Sequence, residues 1–241
     1  MSPDNRQHRG PHPADTRLFA ETNLPSLRVA TSELSWLLSR GYQIKASLKL
    51  VGDRLMLTER QRLAISRAAC SDESQQRRKA HCVSVESIAN ERVVIDGFNL
   101  LITVEAGLSG GPLLLCRDES VRDLSSVHGS YRSVQETERA ICSIGEQLDN
   151  LRPSSVVWFL DRPISNSGRL AQRIDDMAKQ HDWPWDVKVV FNPDAEILSS
   201  PGVAITSDSA ILDRVQSWVN LKSYLLEGCL REAWLIDLRE S

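Results

Sequence analysis

Residues 93–101 read Val93-Val94-Ile95-Asp96-Gly97-Phe98-Asn99-Leu100-Leu101. Three β-branched residues without polar alternation describe a strand buried on both faces, and the Asp-Gly pair that follows is a turn signal. The same arrangement returns downstream. Val156 to Leu160 ends in Asp161, Val187 to Phe191 is followed by Asn192-Pro193-Asp194, and Val203-Ala204-Ile205 is followed by Thr206-Ser207-Asp208. A fifth run, residues 233–238, carries Asp237 inside it. Helix-length segments (133–151, 168–181 and 209–226) separate several of these runs. Buried strands alternating with helices predict an α/β domain over residues 91–241, a doubly wound parallel sheet of about five strands.

Upstream the texture is helical. Leu27, Ala30, Leu34, Leu37 and Leu38 recur at helical spacing before Gly41, and residues 44–50 form a second helical stretch ending at Gly52. Thr58 and Gln61 have the spacing of a capping box that opens a third. Residues 71–79, polar and charged, read as a linker or a helix extension. Residues 24–90 are therefore a small basic helical region with its linker. Residues 1–23, rich in Pro, His and Arg, read as a flexible lead-in.

With 41% apolar and 25% charged residues among 241, a wholly disordered or collagen-like chain is excluded. No apolar run approaches the roughly 18 residues that span a bilayer, so no membrane partner is expected. The five cysteines are scattered and odd in number, which suits reduced thiols in the cytoplasm. Charge is unevenly placed: residues 1–90 hold 14 Lys and Arg against 9 acids, and residues 91–241 hold 15 against 23.

Ligands of an open parallel sheet bind beyond the C-terminal strand ends, where strand order reverses. One Asp at such a position reads most simply as a turn former or helix cap. Four at one edge are different, because neighbouring strands lie only about 4.8 Å apart and the carboxylates converge. Their repulsion is relieved by a hard divalent ion, Mg²⁺ or Mn²⁺. Such an ion ionises water for attack on a phosphodiester and offsets charge on the leaving oxygen.

The stretch from Val94 to Leu101 resembles the first-strand motif of the PIN-like nucleases, including the NYN branch and the flap-type 5′ nucleases. Thr206-Ser207-Asp208 is similar to the family's Thr-x-Asp at the fourth strand, and Phe159-Leu160-Asp161 to the second-strand Asp of NYN proteins. The basic region (Arg40-Gly41-Tyr42, Leu48 to Arg54, Arg60-Gln61-Arg62) is similar to that of a bacterial family joining such helices to a PIN-like domain. The resemblance implies a PIN-like fold with the first strand between the second and fourth. It implies Asp96, Asp161 and Asp208 as metal ligands, and Asn99 as a residue that orients a carboxylate or water. A further acid on the helix before the second strand would be Glu138, with Glu105 and Glu136 as rivals. The implied activity is metal-dependent phosphodiester hydrolysis, in RNA rather than DNA, and a homo-oligomer is compatible with it. An inactive RNA-binding or protein-interaction module is the alternative. The Asp208–Asp213 spacing is shared with haloacid-dehalogenase-type phosphatases, but Phe98 stands where their second Asp is required.

Between Arg40 and Lys79 there are ten basic residues against four acids. Lys45, Lys49, Arg54, Arg60 and Arg62 are candidates for gripping a polyanion, joined by Arg132 at the end of the long excursion that begins at Gly107. The bland alternative is a solvated helical face.

Overall fold

A computed structural model describes residues 8–125 and 131–239. The opening run forms β2 (Arg92–Asp96) inside a sheet of six parallel strands among the described residues. On one side β2 pairs with β5 (Ser155–Asp161), and β6 (Trp185–Val190) lies beyond. On the other it pairs with β7 (Val203–Ile205), followed by β8 (Trp218–Val219) and β1 (Cys82–Val83). β2, β5 and β7 are covered on both faces, as the lack of alternation requires, whereas the edge strand β6 alternates between half-buried and exposed residues and departs from that expectation. Val93, Ile95, Trp158 and Leu160 face α6 (Gly97–Leu108), α7 (Thr137–Leu151), α8 (Ser167–Gln180) and α11 (Leu221–Glu227). Val94, Val157, Phe159 and Ala204 face α9 (Pro193–Ser199) and α10 (Ser209–Leu212).

The expected strand set needs correction. The run at 233–238 does not join the main sheet; its core forms β9 (Leu235–Asp237), parallel to β3 (Leu113–Leu115). β4 (Val121–Asp123) completes this second sheet as the antiparallel partner of β3, so the long excursion at 107–131 is largely a hairpin. Residues 126–130 of that excursion lie outside the described residues. The main sheet gains β8 and β1 instead. β8 interrupts the expected 209–226 helix, and β1 comes from the expected linker. Two-residue strands are too short to carry a periodicity.

The N-terminal helices are α1 (Asp15–Leu18), α2 (Leu24–Ser39), α3 (Ile44–Arg54), α4 (Glu59–Ala68) and α5 (Asp72–His81). The Thr58–Gln61 capping box is formed in both directions. Gly41 has φ +79°, the left-handed conformation that ends α2 at little cost. Gly52 does not end α3. A Cβ there would lie 2.5 Å from the Arg62 guanidinium, so the glycine seats that side chain.

The flexible lead-in also needs correction for residues 8–23. Asp15 is fully buried and paired with Arg60, while Leu18 and Phe19 enter a core with Leu27, Leu34 and Ile65. That core includes Leu114, Ile236 and Leu238, so the second sheet joins the helices to the α/β layers. The five cysteines are free thiols. Among the described residues no helix is long and apolar enough to cross a membrane.

Candidate functional site

Asp96 ends β2, and α6 begins at the next residue. Gly97 permits this close turn: a Cβ would stand 2.6 Å from Leu160 Cδ2 and 2.9 Å from the Phe159 carbonyl oxygen. The β2–β7 register pairs Ile95 with Ile205, which sets Thr206 level with Asp96. Thr206 Oγ1 donates to Asp96 Oδ2 at 2.9 Å and accepts from the Asp208 amide at 3.0 Å. Burial pushes the Asp96 carboxyl up to about 6 and the Asp208 charge adds to this, against the Thr206 bond and the Lys222 charge.

One turn along α6, Asn99 Oδ1 accepts from the Ser207 amide at 2.9 Å, from Ser207 Oγ at 3.1 Å and from Lys222 Nζ at 2.7 Å. Lys222, on α11, is 4% exposed. Its other two protons go to Thr103 Oγ1 at 2.8 Å and Ser207 Oγ at 2.7 Å. Burial lowers its ammonium to about 8 despite the charges of Asp123 and Asp96. Thr103 Oγ1 in turn donates to Asp123 Oδ2 at 2.7 Å. A cleft of about 500 Å³ opens over this group, lined by Phe98, Asn99, Asp123, Ser207 and Asp208 together with Arg67 of α4.

Asp161 and Asp194 stand further along the edge. Burial raises the Asp161 carboxyl, and its buried Oδ1 has no hydrogen-bond partner among the described residues. Burial also raises Asp194, with the charges of Asp208 and Asp161 adding to the shift. Asp208 is thus felt electrostatically at Asp96 on one side and at Asp194 on the other. Its own Oδ1 accepts from the Ala210 and Ile211 amides, capping α10. Among the described residues no three Asp, Glu, His or Cys side chains approach closely enough to hold an ion by themselves.

The other candidates fall elsewhere. Glu138 is exposed on α7 and pairs with Arg173 at 3.5 Å. Glu105 is fully buried and takes hydrogen bonds from Arg9, Tyr131 and Thr137. Glu136 pairs with His8 at 2.7 Å. Asp213 is gripped by Arg78, whose Nε lies 2.7 Å from Oδ1.

The basic candidates are less available than their number suggested. Arg54 pairs with Glu33, Arg60 with Asp15, and both Lys49 and Arg62 with Asp53. Lys45 and Arg132 are exposed. Sequence reasoning missed Lys222, whose place between Leu221 and Ser223 looks like any amphipathic helix position.

Residues 85–224, more than half of the chain, match the family model described as Domain of unknown function (DUF5616). The chain belongs to the DUF5616 family. Its DUF5616 domain contains the whole strand edge described above, from Asp96 to Lys222. Residues 26–81 match a second model, Protein of unknown function (DUF434), which covers α2 to α5. The chain is also similar to Uncharacterized protein MJ0935 of Methanocaldococcus jannaschii, with 32% identity over 187 residues. That alignment spans 78% of this chain and 89% of the relative. No solved structure matches the chain.

Proposed function

We propose that the strand edge is the active site of a PIN-like, divalent-metal-dependent nuclease that hydrolyses phosphodiester bonds, RNA being the favoured substrate. The observation that carries this reading is β2 lying between β5 and β7, with Asp96, Asp161, Asp194 and Asp208 at one edge and three of the four carboxyls raised. Carboxylates held against their own ionisation are what a hard cation relieves.

The residues present fit such an ion in part. Asp96, Asp161 through its unpartnered Oδ1, and Asp208 through Oδ2 are the carboxylates that would face it; because no three of them reach a common ion directly, bound water and substrate oxygens would have to supply the rest of the shell. Bound Mg²⁺ or Mn²⁺ would supply ionised water and charge compensation. Thr206 orients the Asp96 carboxylate, and Lys222 with Ser207 fixes the Asn99 carboxamide at the cleft wall. Glu138 has no part in this arrangement.

One observation favours the second reading, an inactive RNA-binding or protein-interaction module: Asp208 Oδ1 is occupied as a helix cap. Calorimetric titration with Mn²⁺, wild type beside Asp96→Asn, separates the two. The nuclease reading expects binding that the substitution abolishes, and metal-dependent cleavage of an RNA panel lost in the same variant. Cleavage by neither protein, with RNA binding intact in both, selects the module.

A further inference from the structure

The sheet edge carries an aromatic group that the hydrolytic machinery does not use. Phe191 follows the last residue of β6 and is 73% exposed. Arg162 follows the last residue of β5, and its guanidinium carbon lies 4.8 Å from the centre of the Phe191 ring. The Arg162 amide donates to the Val190 carbonyl at 2.7 Å, so the two residues are fastened to adjacent strands and not to free loops. Both lie close to the acidic group in sequence: Asp161 immediately precedes Arg162, and Asp194 lies three residues beyond Phe191.

We infer that the Phe191–Arg162 pair is a stacking platform for an unpaired base, which makes the substrate a single-stranded segment of nucleic acid. This rests on the nuclease reading for the identity of the ligand and extends it to the form of the substrate. A ring projecting into water beside a site for phosphodiesters presents the flat apolar face that a base requires. The guanidinium adds a second planar surface and a charge for the adjoining phosphate. A base inside a duplex is already stacked and paired, and it reaches such a ring only when unstacked. Stacking uses a face that every base possesses, so the platform selects strandedness and not sequence.

The test is fluorescence anisotropy of the full chain with a fluorescein-labelled oligouridylate, an oligothymidylate of equal length, and each annealed to its complement. EDTA is present, so that binding is read apart from cleavage. Phe191→Ala is expected to weaken both single strands about 5- to 100-fold and leave duplex binding unchanged, while Phe191→Tyr retains wild-type affinity. Thermal melting checks that the variants are folded; an exposed ring is removed without disturbing the core. Equal affinity of wild type and Phe191→Ala for single strands overturns the platform, and so does a wild type that binds neither strand. The two readings fail separately. Metal-dependent cleavage that is unaffected by Phe191→Ala keeps the nuclease and removes the platform. Phe191-dependent binding without cleavage keeps the platform and removes the nuclease.

Discussion

Lys222 Nζ donates to Asn99 Oδ1 at 2.7 Å, across 123 residues of chain, and so decides which way the Asn99 carboxamide points. Three donors converge on that oxygen. The amide nitrogen is thereby the end left facing away from Lys222 and Ser207, in a residue that lines the cleft. A lysine with all three protons placed on neutral oxygens acts here as a fixed strut.

Replacing that strut is the first prediction. Lys222→Met leaves the Asn99, Thr103 and Ser207 oxygens without their charged donor, a loss of about 1–3 kcal/mol that is set against relief of the buried ammonium's desolvation, so the prediction rests on the pH dependence. Its pH signature is specific. The native ammonium titrates near 8 and the unfolded one at about 10.5, so the unfolded chain binds more protons in that interval. Wild-type stability should therefore receive a rising contribution from about pH 8 to 10.5. Urea denaturation across this range should find that contribution absent in Lys222→Met; identical slopes would contradict the strut's titration.

Asp96 has the opposite sign. Its native carboxyl titrates near 6 against 3.8 unfolded, so the native state holds the extra proton between those values. The contribution to stability is greatest below about pH 4 and is lost as pH rises through 6. Asp96→Asn removes the cost of ionising a buried group and should stabilise the chain by up to about 3 kcal/mol at neutral pH. A site residue whose neutral replacement raises stability while abolishing Mn²⁺ binding shows the trade expected of functional positions. A destabilised Asp96→Asn would assign the carboxylate a structural role.

Arg78 ties three elements together and predicts a different acid response. It is 3% exposed, with Nη1 2.6 Å from Asp118 and Nε 2.7 Å from Asp213. Burial pushes the Asp118 carboxyl up, yet Arg122, Ser120 and Arg78 together hold it well below the ordinary carboxylate range. That stability is present above about pH 4 and is lost as pH falls further. Arg78→Met should cost about 3–5 kcal/mol, read by denaturant unfolding, because Asp118 keeps its buried charge with one guanidinium fewer. The loss should shrink in acid; an unchanged loss at pH 2.5 would reject the mechanism.

Gly97 gives a purely steric prediction. Gly97→Ala forces a methyl group against Leu160 and the Phe159 carbonyl, so α6 must move away from β5. The expected cost is about 1–3 kcal/mol. A melting curve coincident with wild type would show that the helix start yields freely.

The acidic edge was legible because Asp96, Asp161 and Asp208 each follow a buried apolar run, and strand order then brought them to one side; the run before Asp194 is an edge strand, half-buried at most. The strut was not. Lys222 is local to nothing it touches, and the 209–226 segment holding it reads as a continuous helix until β8 interrupts it. The ion pairs of the basic region were hidden for a related reason. Counting charge along 40–79 overlooks Glu33 and Asp15, which lie outside that window and neutralise Arg54 and Arg60 through the fold. Residues 233–238 were legible as a strand, but a run of apolar residues does not say which sheet will take it.

That last strand also sets an order of events. The apolar face of α2 and α4 closes against Leu114, Ile236 and Leu238, so the core of these helices is completed only by residues far downstream in sequence. Contacts of such sequence separation are slow to form, and the waiting surface is open to association in the meantime. Removing residues 235–238 should therefore leave the helical region protease-sensitive, although none of its own residues has changed.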